Sequence, residues 1–302
     1  MTAHGTTSTG KNRKSHVFGP VPSRRLGRSL GIDIVPFKTC TYDCIYCQLG
    51  HTTVKTAERQ PFVAVDAVLR DVADAMAAMP AVDYLTLSGS GEPTLHSDIG
   101  RIVETLKREY DTPVAVLTNG SLLGDPRVRE SLMAADIVLP TLAAEDETTF
   151  SCVHRPHESL HFYDVVRGLV DFSAQFTNRL WLELFLLDGI TAIDTSVMSM
   201  KAVIDKMLPE KVQINTATRP PAESFACPVA QAQLVRFARM IGPRSEVIAE
   251  YGGSAARHHR RTDAVFRRSV LGILAAASGQ QRQPHTPHRQ VEIPHAGQRH
   301  PA

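Results

Sequence analysis

Short apolar segments alternate with longer amphipathic segments along most of this chain, and this alternation restricts its fold more than any other feature. Six segments rich in Val, Ile and Leu read as buried strands; they cover residues 31–37, 83–88, 114–118, 136–140, 180–187 and 211–215. Helix-like segments lie between and after them, at 65–79, 98–109, 126–134, 162–175, 194–207 and 229–241. This order predicts an α/β protein with a parallel sheet covered by helices. The alternation leaves an open doubly wound sheet and a full or partial barrel as alternatives.

Three cysteines follow the first predicted strand at the spacing C-x3-C-x2-C, namely Cys40, Cys44 and Cys47. Ligands collect at the carboxyl ends of strands in a parallel sheet, and thiolates are the ligands that iron–sulfur clusters select. Three thiolates would leave one iron of a four-iron cluster open to another molecule. The other two cysteines, Cys152 and Cys227, are far apart in sequence and predict structural thiols, so we expect a single cluster.

The same cysteines are compatible with other interpretations. His51 follows Cys47 by four residues and would complete a Cys3His zinc site. A C-x2-C pair is also typical of redox dithiols. Disulfides are disfavoured because the cysteine count of five is odd and the polar N-terminus does not resemble a secretory signal.

The second predicted strand ends in the segment Ser-Gly-Ser-Gly-Glu-Pro-Thr, residues 88–94. A glycine at Gly91 allows close approach of a ligand to the backbone. Glu92 is an acceptor suited to a cationic amine, and Pro93 stiffens the turn. An ordinary glycine-rich turn is the alternative, but the neighbouring cysteine loop favours an amine-binding edge.

Polar residues also follow the third and fourth predicted strands. Thr118 and Asn119 end the third, and Thr141 follows Pro140 at the end of the fourth, where hydroxyl and amide groups suit a ligand's hydroxyls or carboxylate. Arg155 is a candidate for bidentate pairing with a carboxylate. Tyr46 is a candidate to cover an adenine-sized ring, or else to pack the cysteine loop onto the sheet.

Composition and charge restrict the compartment and the partners. The 302 residues carry a formal net charge of +2, which does not by itself favour nucleic acid or a membrane. The most apolar stretch, residues 180–190, contains Glu183 and Asp188 and is too short to span a bilayer. We therefore predict a cytoplasmic protein with no membrane association.

The chain divides into three parts by composition. Residues 1–16 are predicted to be a disordered leader and residues 17–250 the core domain. Residues 251–302 are rich in Arg, His and Pro and are predicted to be a basic disordered tail. A nucleic-acid-binding arm is the alternative for that tail.

The cysteine triplet after the first strand, together with Gly-Glu-Pro after the second, resembles the radical S-adenosylmethionine superfamily. The sequence around these motifs is similar to uncharacterised Fe–S oxidoreductases related to the tRNA wybutosine-synthesis enzyme. The segments that carry this likeness are GPVPSRRLGRSLGIDIVPFKTCTYDCIYCQLG, LTLSGSGEPTLHSDI, LTNGSLL, DETTF, HRPH and INTATRPPAE.

The resemblance implies a partial (β/α)6 barrel and one [4Fe–4S] cluster on Cys40, Cys44 and Cys47. It further implies that S-adenosylmethionine chelates the open iron, with Glu92 and the Gly-Glu-Pro backbone at its amine and Thr141 among the groups at its ribose. Reductive cleavage then yields methionine and a 5′-deoxyadenosyl radical that abstracts hydrogen from substrate. The expected electron donor is a reductant such as flavodoxin or ferredoxin.

The chain departs from its relatives in two places. The residues Thr141-Leu-Ala stand where relatives usually have Ser-Leu-Asp, and the C-terminal end does not resemble their small helix-turn-helix segment. Wybutosine enzymes are expected to carry a second cysteine triplet, which this sequence lacks, so that activity is not predicted. The substrate stays open among a small molecule, a protein residue and RNA, and a non-catalytic Fe–S electron-transfer or redox-sensing protein is the alternative function.

Overall fold

An eight-stranded sheet lies at the centre of the protein, as seen in a computed structural model that describes residues 15–79 and 81–249. The strands of the described residues are β1 (Val17–Ser23), β2 (Gly27–Ile32), β3 (Thr39–Cys40), β4 (Val54–Lys55), β5 (Tyr84–Leu87), β6 (Val114–Thr118), β7 (Ile137–Leu142), β8 (Arg179–Leu186), β9 (Lys211–Thr216) and β10 (Ser245–Val247). The sheet has the order β1-β2-β5-β6-β7-β8-β9-β10, and β3 pairs separately with β4. Only β1 runs antiparallel to its neighbour within the eight-stranded sheet.

Helices cover the outer face of this sheet. They are α1 (Val65–Ala78), α2 (Ile99–Glu109), α3 (Pro126–Leu132), α4 (Glu147–His154), α5 (Phe162–Gln175), α6 (Asp194–Met207) and α7 (Gln231–Ile241). The largest buried cluster joins helices and outward-facing strand residues, among them Leu30, Leu85, Val116, Leu182, Ile102, Phe172 and Phe237. Burial of this apolar surface is the main term that holds the helices on the sheet.

The opposite face of the same strands has a separate apolar cluster. Ala115, Ile137, Leu139 and Trp181 alternate along their strands with residues of the outer core, so they lie on the inner face. Leu26, from the turn between β1 and β2, packs against them and is only 2% exposed. The turn therefore covers the amino-terminal end of the curved sheet.

The two edges of the sheet, β1 and β10, are not paired with each other. Arg24, in the turn after β1, donates from Nη1 to the carbonyl oxygen of Ile248 at 2.7 Å, which links the first hairpin to the residue after β10. The predicted α/β class is confirmed, with a mostly parallel sheet that curves as a partial barrel and does not close.

Several element predictions were wrong in detail. The first parallel strand, β2, is Gly27–Ile32 rather than 31–37, because the polar residues 27–29 do not show the apolar pattern of a buried strand. Strands β1 and β10 were not predicted, since their pairing depends on partners distant in sequence. Helix α4 was missed as well; it is short, and the side chain of Asp146 caps it by accepting the N–H of Thr149 at 2.8 Å.

Residues 1–14 of the predicted leader and the whole of the predicted tail, 251–302, lie outside the described residues. The division of the chain into leader, core and tail therefore stays a prediction. Within the described ranges, no helix is both long and apolar enough to cross a membrane.

Candidate functional site

The segment from Cys40 to Cys47, which we call the cysteine loop, lies beyond the carboxyl end of β2. The end of α4 holds it in place: the N–H groups of Asp43 and Ile45 donate to the carbonyl oxygens of His154 and Val153 at 2.9 and 3.0 Å. Inside the loop, the N–H of Cys47 donates to the carbonyl oxygen of Cys44 at 3.1 Å. The predicted position of the loop at the carboxyl end of the sheet agrees with the structure.

Each of the three cysteine sulfurs has a side-chain nitrogen beside it. The distances are 3.2 Å from Lys38 Nζ to Cys47 Sγ, 3.3 Å from His154 Nδ1 to Cys44 Sγ, and 3.6 Å from Asn119 Nδ2 to Cys40 Sγ. These nitrogens come from the loop after β2, the end of α4 and the end of β6. Three different elements therefore converge on the thiols.

Burial disfavours the ionised form of two of these thiols. It raises the pKa of Cys40 to about 11 and that of Cys44 well above its usual value, with neighbouring acidic groups adding to the effect. Burial also lowers the pKa of His154 to about 3, so its ring is neutral at physiological pH. Metal coordination deprotonates a thiol outright, so these cysteines are suited to bind a thiophilic metal centre.

His51, the candidate fourth ligand of a zinc site, turns towards two carboxylates instead. Its Nδ1 lies 3.4 Å from Asp43 Oδ2, and its Nε2 lies 3.9 Å from Glu223 Oε1. No group of three or more His, Cys, Asp or Glu side chains in the described part of the chain is arranged to hold a single metal ion.

The predicted Gly-Glu-Pro motif lies directly against the start of the cysteine loop. A Cβ atom at Gly91 would overlap the carbonyl oxygen of Thr39, so only glycine permits this close approach. The N–H of Glu92 donates to the same carbonyl oxygen at 3.1 Å. Pro93 opens a buried 3-10 turn, Pro93–Leu95.

Glu92 is 2% exposed, and its carboxylate accepts four hydrogen bonds from the protein. The donors are the N–H and hydroxyl of Thr94, at 3.0 and 2.6 Å, the hydroxyl of Thr118, at 2.6 Å, and the N–H of Asn119, at 2.7 Å. Burial raises the pKa of Glu92, and these donors act against that rise. The carboxylate thus joins the ends of β5 and β6; its expected contact with a ligand amine stays a prediction.

Both polar atoms of the Asn119 side chain are hydrogen-bonded within the protein. Its Nδ2 donates to Thr41 Oγ1 at 2.7 Å, and its Oδ1 accepts the N–H of Ser121 at 2.9 Å. Thr118 and Asn119 were predicted as ligand contacts at the end of β6. Both residues lie at the end of β6, where Thr118 is bonded to Glu92 and Asn119 to Thr41 of the cysteine loop. Their contact with a ligand stays a prediction.

Tyr46 and Arg155 have protein partners as well. The ring of Tyr46 stacks on Phe185 of β8 with 4.1 Å between centroids, which agrees with the packing alternative. Arg155 ends α4 with a left-handed backbone, φ 45°, and its Nη1 lies 2.6 Å from Glu223 Oε1. The carboxylate that Arg155 pairs with in the structure therefore belongs to the chain itself.

A polar group on the inner face of the sheet was missed by sequence reasoning. Glu183, in the middle of β8, pairs with Arg25 and accepts the hydroxyl of Thr141 at 2.9 Å and Nδ2 of Asn215 at 2.8 Å. Thr141 lies inside β7, which runs to Leu142, and not after it as predicted. The signal in the sequence is a carboxylate within an otherwise apolar strand.

A family model described as Radical SAM superfamily matches residues 34–198, which include the cysteine loop, the Gly-Glu-Pro motif and α4. The chain therefore belongs to the radical SAM superfamily. This superfamily uses a [4Fe–4S] cluster and S-adenosylmethionine, as the resemblance implied.

Within the superfamily, the curated relatives include several UPF0026 proteins. The chain is 37% identical to the UPF0026 protein slr1464 of Synechocystis over 68% of this chain and 76% of that protein, and 36% identical to UPF0026 protein MJ1312 of Methanocaldococcus jannaschii over 70% and 66%. It is also 40% identical to a protein named GTPase Obg in Brachyspira hyodysenteriae, over 69% of this chain and only 31% of that protein. The chain thus spans about a third of the length of the protein named GTPase Obg and about two thirds of the length of MJ1312.

Solved structures show the same fold at low sequence identity. A radical SAM methyltransferase from Sphaerobacter thermophilus has a TM-score of 0.58 and 18% identity over 75% of this chain and 68% of that chain. Archaeal TYW1 has a TM-score of 0.51 and 12% identity over 72% of each chain. SuiB of Streptococcus suis, solved with S-adenosylmethionine bound, has a TM-score of 0.51 and 12% identity over 74% and 47%.

Proposed function

We propose that this chain is a radical S-adenosylmethionine enzyme whose cysteine loop holds one [4Fe–4S] cluster through Cys40, Cys44 and Cys47. The observation that carries the proposal is the convergence of three thiols and three side-chain nitrogens at the carboxyl end of a partial barrel. When bound, the cluster and S-adenosylmethionine would supply a one-electron cleavage that yields a 5′-deoxyadenosyl radical, which abstracts hydrogen from the substrate.

The chain's own residues would bind the cofactor and exclude water. Gly91 packs against the carbonyl oxygen of Thr39, directly before the cysteine loop, and we infer that its backbone meets the cofactor amine together with Glu92 and Pro93. The stacked pair of Tyr46 and Phe185 belongs to an apolar cluster above the inner face, which would shield the site from water.

Further polar groups at this end of the sheet complete the proposed cofactor site. Thr118 would act mainly by holding Glu92, and Asn119 by holding the cysteine loop through Thr41, as their hydrogen bonds indicate. We assign Thr141 to the ribose and Arg155 to a carboxylate, in competition with their present partners Glu183 and Glu223.

The substrate stays open among a small molecule, a protein residue and RNA. The proposed reaction needs a one-electron reductant, such as flavodoxin or ferredoxin, and a reducing compartment such as the cytoplasm. The five cysteines are free thiols in the structure, which suits that compartment.

The experiment is anaerobic reconstitution with iron and sulfide, followed by reduction with dithionite in the presence of S-adenosylmethionine. We expect 5′-deoxyadenosine from the wild-type chain and neither cluster absorbance nor 5′-deoxyadenosine from Cys44→Ala. Cys152→Ala is the matched control, because Cys152 lies half-buried in α4 outside the loop, and it should behave as wild type. An intact cluster in Cys44→Ala would show that the ligands are wrongly assigned.

One observation favours a non-catalytic Fe–S protein as the second candidate. The side chains of Glu92, Thr118 and Asn119 are all hydrogen-bonded within the protein, so they do not need a ligand to be satisfied. An intact wild-type cluster that is reduced reversibly, with no 5′-deoxyadenosine formed, would favour this function.

A further inference from the structure

Three side chains, Lys38, Asn119 and His154, each direct a nitrogen at a different cysteine sulfur, and we call them the nitrogen set. We propose that the nitrogen set raises the reduction potential of the cluster, with Lys38 as the dominant member. The inference rests on the proposed function, since it requires a cluster on these sulfurs. It assigns the three side chains as positioning residues that act through the cysteines.

Lys38 is the member whose placement is hardest to explain otherwise. It is only 3% exposed, and among the described residues its Nζ has Cys47 Sγ as its hydrogen-bond partner. Burying an ammonium is costly unless an anion lies beside it. Three thiolates outweigh the positive charge of an oxidised [4Fe–4S] core, so the loaded loop is anionic and supplies the partner that Lys38 needs.

The backbone of Lys38 is held in an uncommon conformation that aims the side chain. Its φ is 58°, in the left-handed region that non-glycine residues seldom adopt. Its N–H donates to the carbonyl oxygen of Ser90 at 2.9 Å, and its carbonyl oxygen accepts the N–H groups of Thr53 and Val54, both at 3.1 Å. Strain kept in place by such contacts is typical of functional positions.

The other two donors are held in orientation by contacts that do not involve sulfur. The Oδ1 of Asn119 accepts the N–H of Ser121, which leaves Nδ2 facing Thr41 and Cys40. The ring of His154 packs against Tyr42 and Phe150, with centroids 4.6 and 5.3 Å apart. A metal-bound thiolate at Cys44 accepts and cannot donate, so Nδ1 of His154 carries the hydrogen.

The effect on potential follows from charge. Reduction adds one electron, taken from an external one-electron reductant, and breaks no bond, so the reduced cluster is more negative by one unit. Donors to the sulfurs stabilise the reduced form more than the oxidised form, and hydrogen bonding to sulfur is a known determinant of cluster potential. A charge-assisted bond from an ammonium is stronger than a neutral one, which ranks Lys38 above Asn119 and His154.

The test is EPR-monitored potentiometry of the reconstituted full chain, with dithionite as reductant, comparing Lys38→Met with wild type. At the wild-type midpoint we expect the ratio of reduced to oxidised cluster to fall about tenfold in Lys38→Met, equivalent to about 59 mV for a one-electron couple. Lys38→Arg keeps the charge and should restore most of the ratio. Lys55→Met is the matched control, because Lys55 donates to the carbonyl oxygens of Arg155 and Pro156 and not to sulfur.

The outcomes separate this inference from the proposed function. An unchanged midpoint in Lys38→Met, with a full cluster and wild-type 5′-deoxyadenosine formation, would overturn the inference and leave the enzyme proposal standing. An equal shift in Lys55→Met would also overturn it, since the effect would then be one of general charge. A wild-type chain that takes up no cluster would overturn both.

Discussion

The carboxyl end and the inner face of the sheet are both rich in polar side chains, but they are organised differently. At the carboxyl end, Cys40, Gly91 and Asn119 come from short sequence motifs, and backbone contacts press these motifs together. On the inner face, Arg25 and Glu183 come from single positions 158 residues apart and meet through their side chains alone. A binding loop can therefore be predicted from a short motif, whereas an ion pair between two distant single residues cannot be predicted from the sequence.

We expect the largest effect on stability from breaking the ion pair between Arg25 and Glu183 on the inner face. In Arg25→Met, Glu183 keeps Thr141 and Asn215 as donors but loses its counter-charge, and both members of the pair are at most 14% exposed. Loss of one partner from a buried pair costs about 3–5 kcal/mol, and we expect the lower end, about 3 kcal/mol, because two donors remain. Urea unfolding of the apo protein measures it.

The control for that experiment is an exposed pair. Lys201 and Asp205 pair at i,i+4 on α6, and Lys201→Met should change the free energy of unfolding by only about 0.3–0.5 kcal/mol. Equal decreases in the free energy of unfolding in Arg25→Met and Lys201→Met would show that the inner face does not depend on its ion pair. The contrast between the carboxyl end and the inner face would then be wrong.

A smaller effect on stability, but a larger one on cluster binding, is expected at Gly91. In Gly91→Ala the new methyl group overlaps the carbonyl oxygen of Thr39, so the cysteine loop must move. Overpacking of this kind costs about 1–3 kcal/mol, and we expect iron content per chain to fall well below wild type after reconstitution.

Gly124→Ala is the matched control for Gly91→Ala, because the nearest atom to its added Cβ is the carbonyl oxygen of Asp164 at 3.8 Å. Wild-type iron loading in both variants would mean that the loop tolerates displacement. The contacts between Gly-Glu-Pro and the loop would then not decide cluster binding.

The smallest effect is expected where α4 begins. Asp146→Ala removes the hydrogen bond to the N–H of Thr149, and loss of such a cap costs about 1 kcal/mol. Since the other end of α4 holds the cysteine loop, iron loading should stay near wild type while the unfolding midpoint drops. A loss of iron as large as that in Gly91→Ala would show that the start of α4 also controls the loop.

Sequence reasoning found the parallel α/β architecture, the cysteine ligand candidates and the Gly-Glu-Pro motif, because apolar periodicity and short spacings are local signals. It did not find β1, β10 or α4, whose formation depends on tertiary partners or on a single cap. The contact of Glu92 with a ligand amine stays a prediction, but sequence reasoning did not foresee that four donors from its own chain bond to the carboxylate. Which donor a buried acceptor takes is decided by packing, and no spacing rule encodes it.

The roles of Lys38 and His154 were likewise outside the reach of sequence. Lys38 reads as an ordinary surface lysine until its burial and left-handed backbone are seen. His154 lies 110 residues from Cys44 and reaches it only because α4 ends against the loop.

We propose that the cluster on the cysteine loop keeps an open iron for S-adenosylmethionine. The most direct measurement is the EPR spectrum of the reconstituted, dithionite-reduced chain, recorded with and without S-adenosylmethionine under conditions too cold for turnover. We expect S-adenosylmethionine to change the spectrum of a cluster containing four irons per chain. An unchanged spectrum from an intact cluster would contradict it.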